Sequence, residues 1–474
     1  MRFSILLLAA MLLGTAQADT LPNLGDPAQV VLSAQQEKQL GEAIMREIRA
    51  SSFYLDDPQV VDYVNALGYR LVAHSSDAAQ AFEFFVINEP SINAFALPGG
   101  FIGVHTGLIV NAQSESELAA VLAHEIGHVT QRHIARLFQQ QKQAGLASLA
   151  AIALAILAAR SSPDLANAAL AGSQYATTQT QLNFTRDNER EADRVGLQVL
   201  ERSGFDPYAM PLFLERLQRA YRLYETNAPS YARTHPLTYE RIADVQSRVE
   251  TMRYRQVPDS LDFQLVRARL QVMGSAPRDA VERFDDILRE KKTVSEIPAR
   301  YGLTLALLEA KNLERAQREA ALLRQEAPND PMVLGLVARV WAASGDPNGA
   351  LALYAEGVKR FPRRRALIFG YAEALLDARQ PQAALQVTTD AIRLLPPDAR
   401  LYRLQAQSYA AMGQRLQQHR AQAEAYLLMG SLRAAIEQLQ IGLKSGDGDY
   451  FELSSAEARL RELTALDIES RRRR

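Results

Sequence analysis

Three prolines stand 34 residues apart in the second half of this chain: Pro328, Pro362 and Pro396. Ala338, Ala372 and Ala406 keep the same interval, as do Ala350 and Ala384, and Gly345 and Gly413 flank Arg379 in the same register. No other feature restricts the fold as sharply. A unit of that length cannot bury an apolar face alone, so successive units must stack and share a core. From Val257-Pro258-Asp259 onward the composition turns to Ala, Leu, Gln and Arg, with apolar residues at helical spacing almost throughout. Three units are clear. Degenerate ones are expected from about 261 to 327 and from about 417 to 460, where Gly430 and Ala435 restart the pattern. An irregular helical domain would not keep several registers in step. The terminal Arg471 to Arg474 reads as a solvated end.

The first half carries a different constraint, the stretch Val121-Leu-Ala-His-Glu-Ile-Gly-His128. Ser114 offers an N-cap hydroxyl, Glu117 completes a capping box, and Leu118, Leu122, Ile126 and Val129 line one side at helical spacing. His124 and His128, four apart on such a helix, point the same way one turn apart. Two neutral imidazoles so placed can share one tetrahedral Zn²⁺ per chain, with Glu125 close enough to act as general base on a water held there. The plain alternative is a helix that happens to carry two histidines. With seven His in 474 residues, chance pairing at this spacing is improbable. Gly127 costs a helix about 1 kcal/mol relative to Ala, which implies close approach of another element.

A third ligand should come from downstream. Thr185-Arg-Asp-Asn-Glu-Arg-Glu-Ala-Asp-Arg-Val-Gly196 reads as a helix start crowded with carboxylates. Glu189 and Asp193, four apart, share a face, whereas Glu191 points elsewhere. One carboxylate on the metal and another orienting a ligating histidine would make a complete site; a solvated charged face is the alternative. His133, nine residues beyond His124 and about 180° round the helix, reads as a surface or capping residue, and His105 as structural. His235 lies in Ser230-Tyr-Ala-Arg-Thr-His-Pro-Leu, where Pro236 biases it to an extended backbone on a loop. It is expected either to latch the metal's water position, and to support an oxyanion on swinging away, or to pack beside the site without touching the metal.

Around these motifs the sequence is α+β and mostly α. Ser33 caps a helix with Leu40, Ile44 and Ile48 on one face, and a second helix covers Gln59 to Val72. Ala81 to Asn88 reads as a strand, and Asn93 to Gly107 as strand, Pro98-Gly99-Gly100 turn, strand. An edge strand facing the metal would let an extended peptide pair with it; an ordinary hairpin is the alternative. Ala144 to Ala159 and Leu165 to Ala171 form apolar stretches around Ser161-Ser-Pro163. Sixteen helical residues reach only about 24 Å, short of the roughly 30 Å hydrocarbon core of a bilayer. Residues 144–172 are therefore expected as a helical hairpin over the site, as one lying on a membrane surface, or as a plain buried pair.

At 474 residues two or more domains are expected. Arg2, the apolar run Phe3 to Leu13 and Ala16-Gln17-Ala18 have the layout of a secretory signal peptide over residues 1–18, with an uncleaved anchor as the alternative. The expected division is thus 1–18, 19–257 for the metal domain and 258–474 for the repeats. A formal net charge of −1 argues against nucleic acid as the partner. The absence of cysteine excludes disulfides, thiolate metal sites and a cysteine nucleophile.

His124-Glu125-x-x-His128 followed by Glu189-x-x-x-Asp193 resembles the metallopeptidase family of the CAAX prenyl endopeptidases and the membrane heat-shock zinc proteases. The resemblance covers roughly residues 30–250 and includes Thr234-His235-Pro236, with Arg241 following. It implies a zincin-like endopeptidase with zinc ligands His124, His128 and Glu189, Glu125 as general base, and Asp193 as proton donor or orienting group. The integral-membrane members carry transmembrane helices, and this sequence offers no convincing one. The 34-residue units resemble tetratricopeptide repeats, which implies a helix pair per unit, proline at the turn and a curved all-α solenoid that binds peptides or proteins. Signal peptide, zinc protease and repeats together resemble periplasmic proteases of Gram-negative bacteria that tend outer-membrane β-barrel assembly. That implies unfolded or misassembled outer-membrane proteins as substrates and the barrel-assembly machinery as the partner of the repeats. The competing expectation is a periplasmic chaperone or adaptor whose metal domain is quiescent.

Overall fold

The computed structural model describes residues 33–77, 80–140, 186–223, 231, 235–290 and 295–472. The N-terminal 1–18 and the apolar stretch 144–172 lie outside them. Helix α1 (Ala34–Ala50) carries the expected cap at Ser33, completed by the Gln36 side chain. Helix α2 (Pro58–Val72) starts from Asp57, whose Oδ1 accepts the N–H groups of Gln59 and Val60. Three strands follow, β1 (Glu83–Ile87), β2 (Ala94–Leu97) and β3 (Phe101–His105), in the order β1-β3-β2. β2 and β3 make the expected antiparallel hairpin, while β1 runs parallel to β3. β2 is thus an edge strand.

The tight turn needs its glycines. Gly99 and Gly100 have φ of +81° and +86°, and a Cβ on Gly100 would sit 2.1 Å from the Ala81 carbonyl oxygen. Alternation along the strands sends Phe85, Ile87, Phe95, Leu97 and Phe101 onto Leu40 and Ile44 of α1. Phe84, Val86, Ile102 and Val104 face the opposite way, into the main core with Val64 and Leu67 of α2. With both faces covered, the strands are almost wholly apolar.

Helices α3 (Thr106–Asn111), α4 (Glu115–Thr130) and α5 (His133–Gln140) lead on from the sheet, followed by α6 (Arg186–Arg202), α7 (Ala209–Leu223) and α8 (Tyr239–Glu250). α4 is the motif helix. Ser114 Oγ accepts from Glu117 N at 3.2 Å as expected, but the Glu117 carboxylate turns to Gln113 N at 2.8 Å and pairs with Arg216, so the capping box is displaced by one residue. Every residue from Glu115 to Val129 is buried, not only the expected apolar side. Among the described residues no helix is long and apolar enough to cross a membrane.

The repeats follow as α9 (Leu261–Met273), α10 (Pro277–Glu290), α11 (Ile297–Glu309), α12 (Leu313–Glu326), α13 (Pro331–Ala343), α14 (Pro347–Arg360), α15 (Arg365–Asp377), α16 (Pro381–Leu394), α17 (Ala399–Ala411), α18 (Arg415–Leu428), α19 (Leu432–Leu443) and α20 (Tyr450–Arg472). The 34-residue period is the period of a left-handed corner. Lys311, Gly345, Arg379 and Gly413 have φ of +60°, +90°, +57° and +76°. At each, the following N–H reaches the carbonyl five residues back, as from Gln380 to Leu375 and from Gln414 to Tyr409. Ala338, Ala350, Ala372, Ala384 and Ala406 are all buried where helices cross. From Gly430 (φ +77°) the same corner recurs after half a period, so the restart there is a half-unit.

Polar pairs span the expected boundary at 257/258. Arg269 pairs with Asp57, the Tyr301 hydroxyl donates to Gln59 Oε1 at 2.9 Å, and Arg365 Nε donates to Asp62 Oδ1 at 2.6 Å. Among the described residues the largest apolar core runs from Leu55 to Leu367. Helix α2 is thus shared ground between the sheet and the repeats.

The corners generate a prediction. Exposed Arg379 holds a left-handed conformation that costs an L-residue about 1 kcal/mol. Arg379→Gly should raise the denaturation midpoint by an amount equivalent to about 1 kcal/mol; a lowered midpoint would contradict the corner's role.

Candidate metal centre

Helices α4 and α6 approach so closely that neither tolerates a side chain at the crossing. A Cβ on Gly127 would lie 2.9 Å from the Ala192 carbonyl oxygen, and one on Gly196 would lie 3.0 Å from His124 N. This is the close approach that Gly127 implied. It brings the carboxylates of α6 directly onto the histidines of α4. His124 Nε2 and His128 Nε2 are 2.9 Å apart, and Glu189 reaches them at 3.5 and 3.4 Å. His235 completes the group, with Nδ1 3.0 Å from Glu189 Oε1 and 3.3 Å from His124 Nε2. His124, His128, Glu189 and His235 thus offer one donor atom each, all within 4.8 Å of one another and all buried.

Glu125 and Asp193 flank this group. Glu125 is fully buried, and among the described residues neither of its carboxylate oxygens has a hydrogen-bond partner; Oε1 lies 3.4 Å from His235 Nε2. Asp193 Oδ1 lies 2.8 Å from His124 Nδ1, on the side of the ring away from the donor cluster. Arg241, from the first turn of α8, grips both carboxylates of α6: its Nε and Nη2 donate to Asp193 at 2.5 and 2.8 Å, and its Nη1 lies 2.6 Å from Glu189 Oε2.

The charges do not close without a cation. Among the described residues, Glu125, Glu189 and Asp193 formally bring three negative charges and Arg241 one positive, an excess of two in a dry interior. Burial alone would raise Glu189 and Asp193, but Arg241 and the histidines hold Glu189 well below the carboxylate range and Asp193 at about 2. Burial pulls the His124 imidazole down, yet Asp193 and Glu189 outweigh it and raise it to about 9. Without a metal ion, a proton on His124 takes up part of the excess. A divalent cation among four converging donors, all of N and O type, would take up the whole of it.

Several sequence expectations meet the structure here. Glu189 and Asp193 share the face turned to α4, and Glu191 does not join the donor group. His105 lies apart, accepting or donating at Ser91 Oγ (2.9 Å) on β3. His133 corrects the surface reading: it is fully buried, with Nδ1 2.8 Å from His128 Nδ1. The angular argument assumed one continuous helix, but the chain breaks at Arg132 (φ +53°). The grip of Arg241 on both carboxylates has no signal in the sequence beyond its place after His235-Pro236. Tyr231, unassigned in the sequence, stacks on the His235 ring with centroids 4.5 Å apart.

Comparison with known proteins bears on the whole chain. Residues 58–249 match Peptidase family M48, and residues 342–408 match a tetratricopeptide repeat family. The beta-barrel assembly-enhancing protease of Escherichia coli K12 is 38% identical over 443 residues, covering 91% of this chain and 90% of that protein. The protein of the same name from Yersinia pestis is 35% identical, covering 93% and 89%. The mitochondrial metalloendopeptidase OMA1 of Schizosaccharomyces pombe is 33% identical over 184 residues, 39% of this chain and 51% of that protein. With both motifs inside the matched region and near full-length similarity beyond it, the chain belongs to the metalloendopeptidases of peptidase family M48, in the group of the beta-barrel assembly-enhancing proteases.

Proposed function

We propose that the chain is a zinc endopeptidase of the periplasm that cleaves unfolded or misassembled outer-membrane β-barrel proteins, assists their assembly, and is directed to the barrel-assembly machinery by its repeats. The buried four-donor cluster beside the buried carboxylate of Glu125 carries the catalytic part of this reading. Zinc is favoured by the all-N/O donor set at tetrahedral count. The names of the near full-length relatives support the client class. The signal-like residues 1–18 support export, and the helical array supports a protein partner.

In this mechanism His124, His128 and Glu189 hold the metal. Zinc so bound would polarise the scissile carbonyl and lower the pKa of water. An extended substrate pairs along edge strand β2, which lies against α4, and presents its carbonyl to the site. Glu125 takes a proton from the attacking water as the C–O bond forms, then gives it to the amide nitrogen as the C–N bond breaks. Its carboxylate oxygens are committed to no other donor. Asp193 holds the His124 ring in the ligating tautomer, and Arg241 keeps Asp193 and Glu189 ionised and in place.

His235 acts as a latch. Its Nδ1 lies 3.0 Å from Glu189 Oε1 and 3.3 Å from His124 Nε2, where it would compete with water for a bound metal. On swinging away, the ring would support the developing oxyanion. X-ray absorption on the resting enzyme should show one nitrogen fewer at the metal in His235→Ala. An unchanged shell would sink the latch whatever the activity does.

The enzyme itself is tested by Glu125→Gln, which keeps the metal and the fold and removes the general base. Cleavage of an unfolded outer-membrane protein should fall by a factor of about 10² or more and should stop in the parent on chelation. If the variant cleaves as fast as the parent, the proposed chemistry fails. If it supports every cellular function without cleaving, the adaptor role is the physiological one.

A further inference from the structure

His133 is a buried imidazole at the centre that plays no part in the chemistry above. On a straight continuation of α4 it would stand about 140° round from His128 and could not touch it. Instead α4 stops at Thr130, Arg132 takes a left-handed conformation and α5 starts at His133. The turn lays the His133 ring against His128, with centroids 4.9 Å apart and planes at 74°. Arg132 holds it there, its N–H donating to the Val129 carbonyl at 3.0 Å and its Nη2 to Glu37 Oε1 of α1 at 2.8 Å. A strained backbone residue persists where its surroundings over-determine it, and such residues gather at functional sites.

Hydrogen bonds give this contact a direction. The two Nδ1 atoms face each other at 2.8 Å, so one must carry a proton and the other must not. A metal on His128 Nε2 would settle which, because a ligating imidazole keeps its proton on the outer nitrogen. His128 Nδ1–H then donates to His133 Nδ1. His133 must therefore be protonated on Nε2, which donates to Glu191 Oε2 at 3.1 Å, and Arg136 Nη1 donates to the same oxygen at 2.9 Å. One assignment satisfies every member of the series. The two ligating histidines of α4 are thus held differently: His124 beside the buried carboxylate of Asp193, His128 through an imidazole that ends on a partly exposed carboxylate.

We propose that His133, backed by Glu191, is a positioning residue for the metal, holding His128 in the one tautomer and orientation that can ligate. The inference rests on the reading of the donor cluster as a metal centre. It also gives Glu191, which does not join the donor group, a part in the site.

The test is metal affinity, measured on the full-length protein by zinc competition with a chromophoric chelator and by the visible spectrum of the cobalt-substituted form. His133→Leu fills similar space without an acceptor. His133→Asn offers Oδ1 near the place of Nδ1. The leucine variant should raise the zinc Kd about 10- to 100-fold and alter the cobalt spectrum. The asparagine variant should recover most of that loss, and the melting of the chelator-treated protein should be the same in both. Leucine binding within about twofold of the parent, or asparagine as weak as leucine, would overturn the role. If the leucine variant does not fold, Glu191→Gln decides: a Kd raised about threefold or more supports the role, and an unchanged one removes it. A parent protein that binds neither zinc nor cobalt would overturn the metal centre itself, a result distinct from any of these.

Discussion

The crossing of α4 and α6 without side chains between them is the contact on which the rest depends. Gly127 and Gly196 let each helix backbone rest on the other at Ala192 and His124. A Cβ at either position would lie 2.9–3.0 Å from the facing backbone, so a larger residue would force the two helices apart and move the carboxylates of α6 off the imidazoles of α4. Both helices are held from behind by apolar packing, through Leu118, Leu122 and Ile126 on one and Leu197 and Leu200 on the other. The core therefore sets donor geometry, and the donors need not fold the chain by themselves.

Burying three carboxylates and an arginine is costly unless each charge finds a partner. Arg241 meets Glu189 and Asp193 at once, and its own bonds leave no room for a second orientation. The remaining negative charge is what makes the site want a cation. Glu125 stands out within this arrangement: among the described residues neither oxygen has a hydrogen-bond partner, and its ion-pair neighbour is His235 Nε2 at 3.4 Å, so the buried carboxylate is destabilising unless a donor comes to it. In the proposed mechanism the attacking water is that donor.

The motifs that were legible in the sequence are those whose geometry follows from uninterrupted helices. His124 and His128, then Glu189 and Asp193, sit four apart and share a face because the helix period says so. Gly127 announced a close approach that the Ala192 backbone supplies. His133 was misread because that same period was carried through Arg132, where the helix breaks. Nothing in the sequence demands a left-handed arginine there. The repeats show the same divide. Gly345 and Gly413 marked the corner, but Lys311 and Arg379 adopt it without glycine, and Gly430 repeats it at half the interval. Parallel pairing of β1 with β3 was also beyond the sequence, since local patterning fixes strands and not their order.

The proposed chemistry requires a metal ion among these donors. Anomalous diffraction from crystals of the purified protein, collected on either side of the zinc edge, locates that ion without reference to activity. One zinc peak per chain is expected, about 2.0–2.2 Å from His124 Nε2, His128 Nε2 and a Glu189 oxygen. Crystals grown with zinc that show no peak there, or a peak held by other residues, would contradict it.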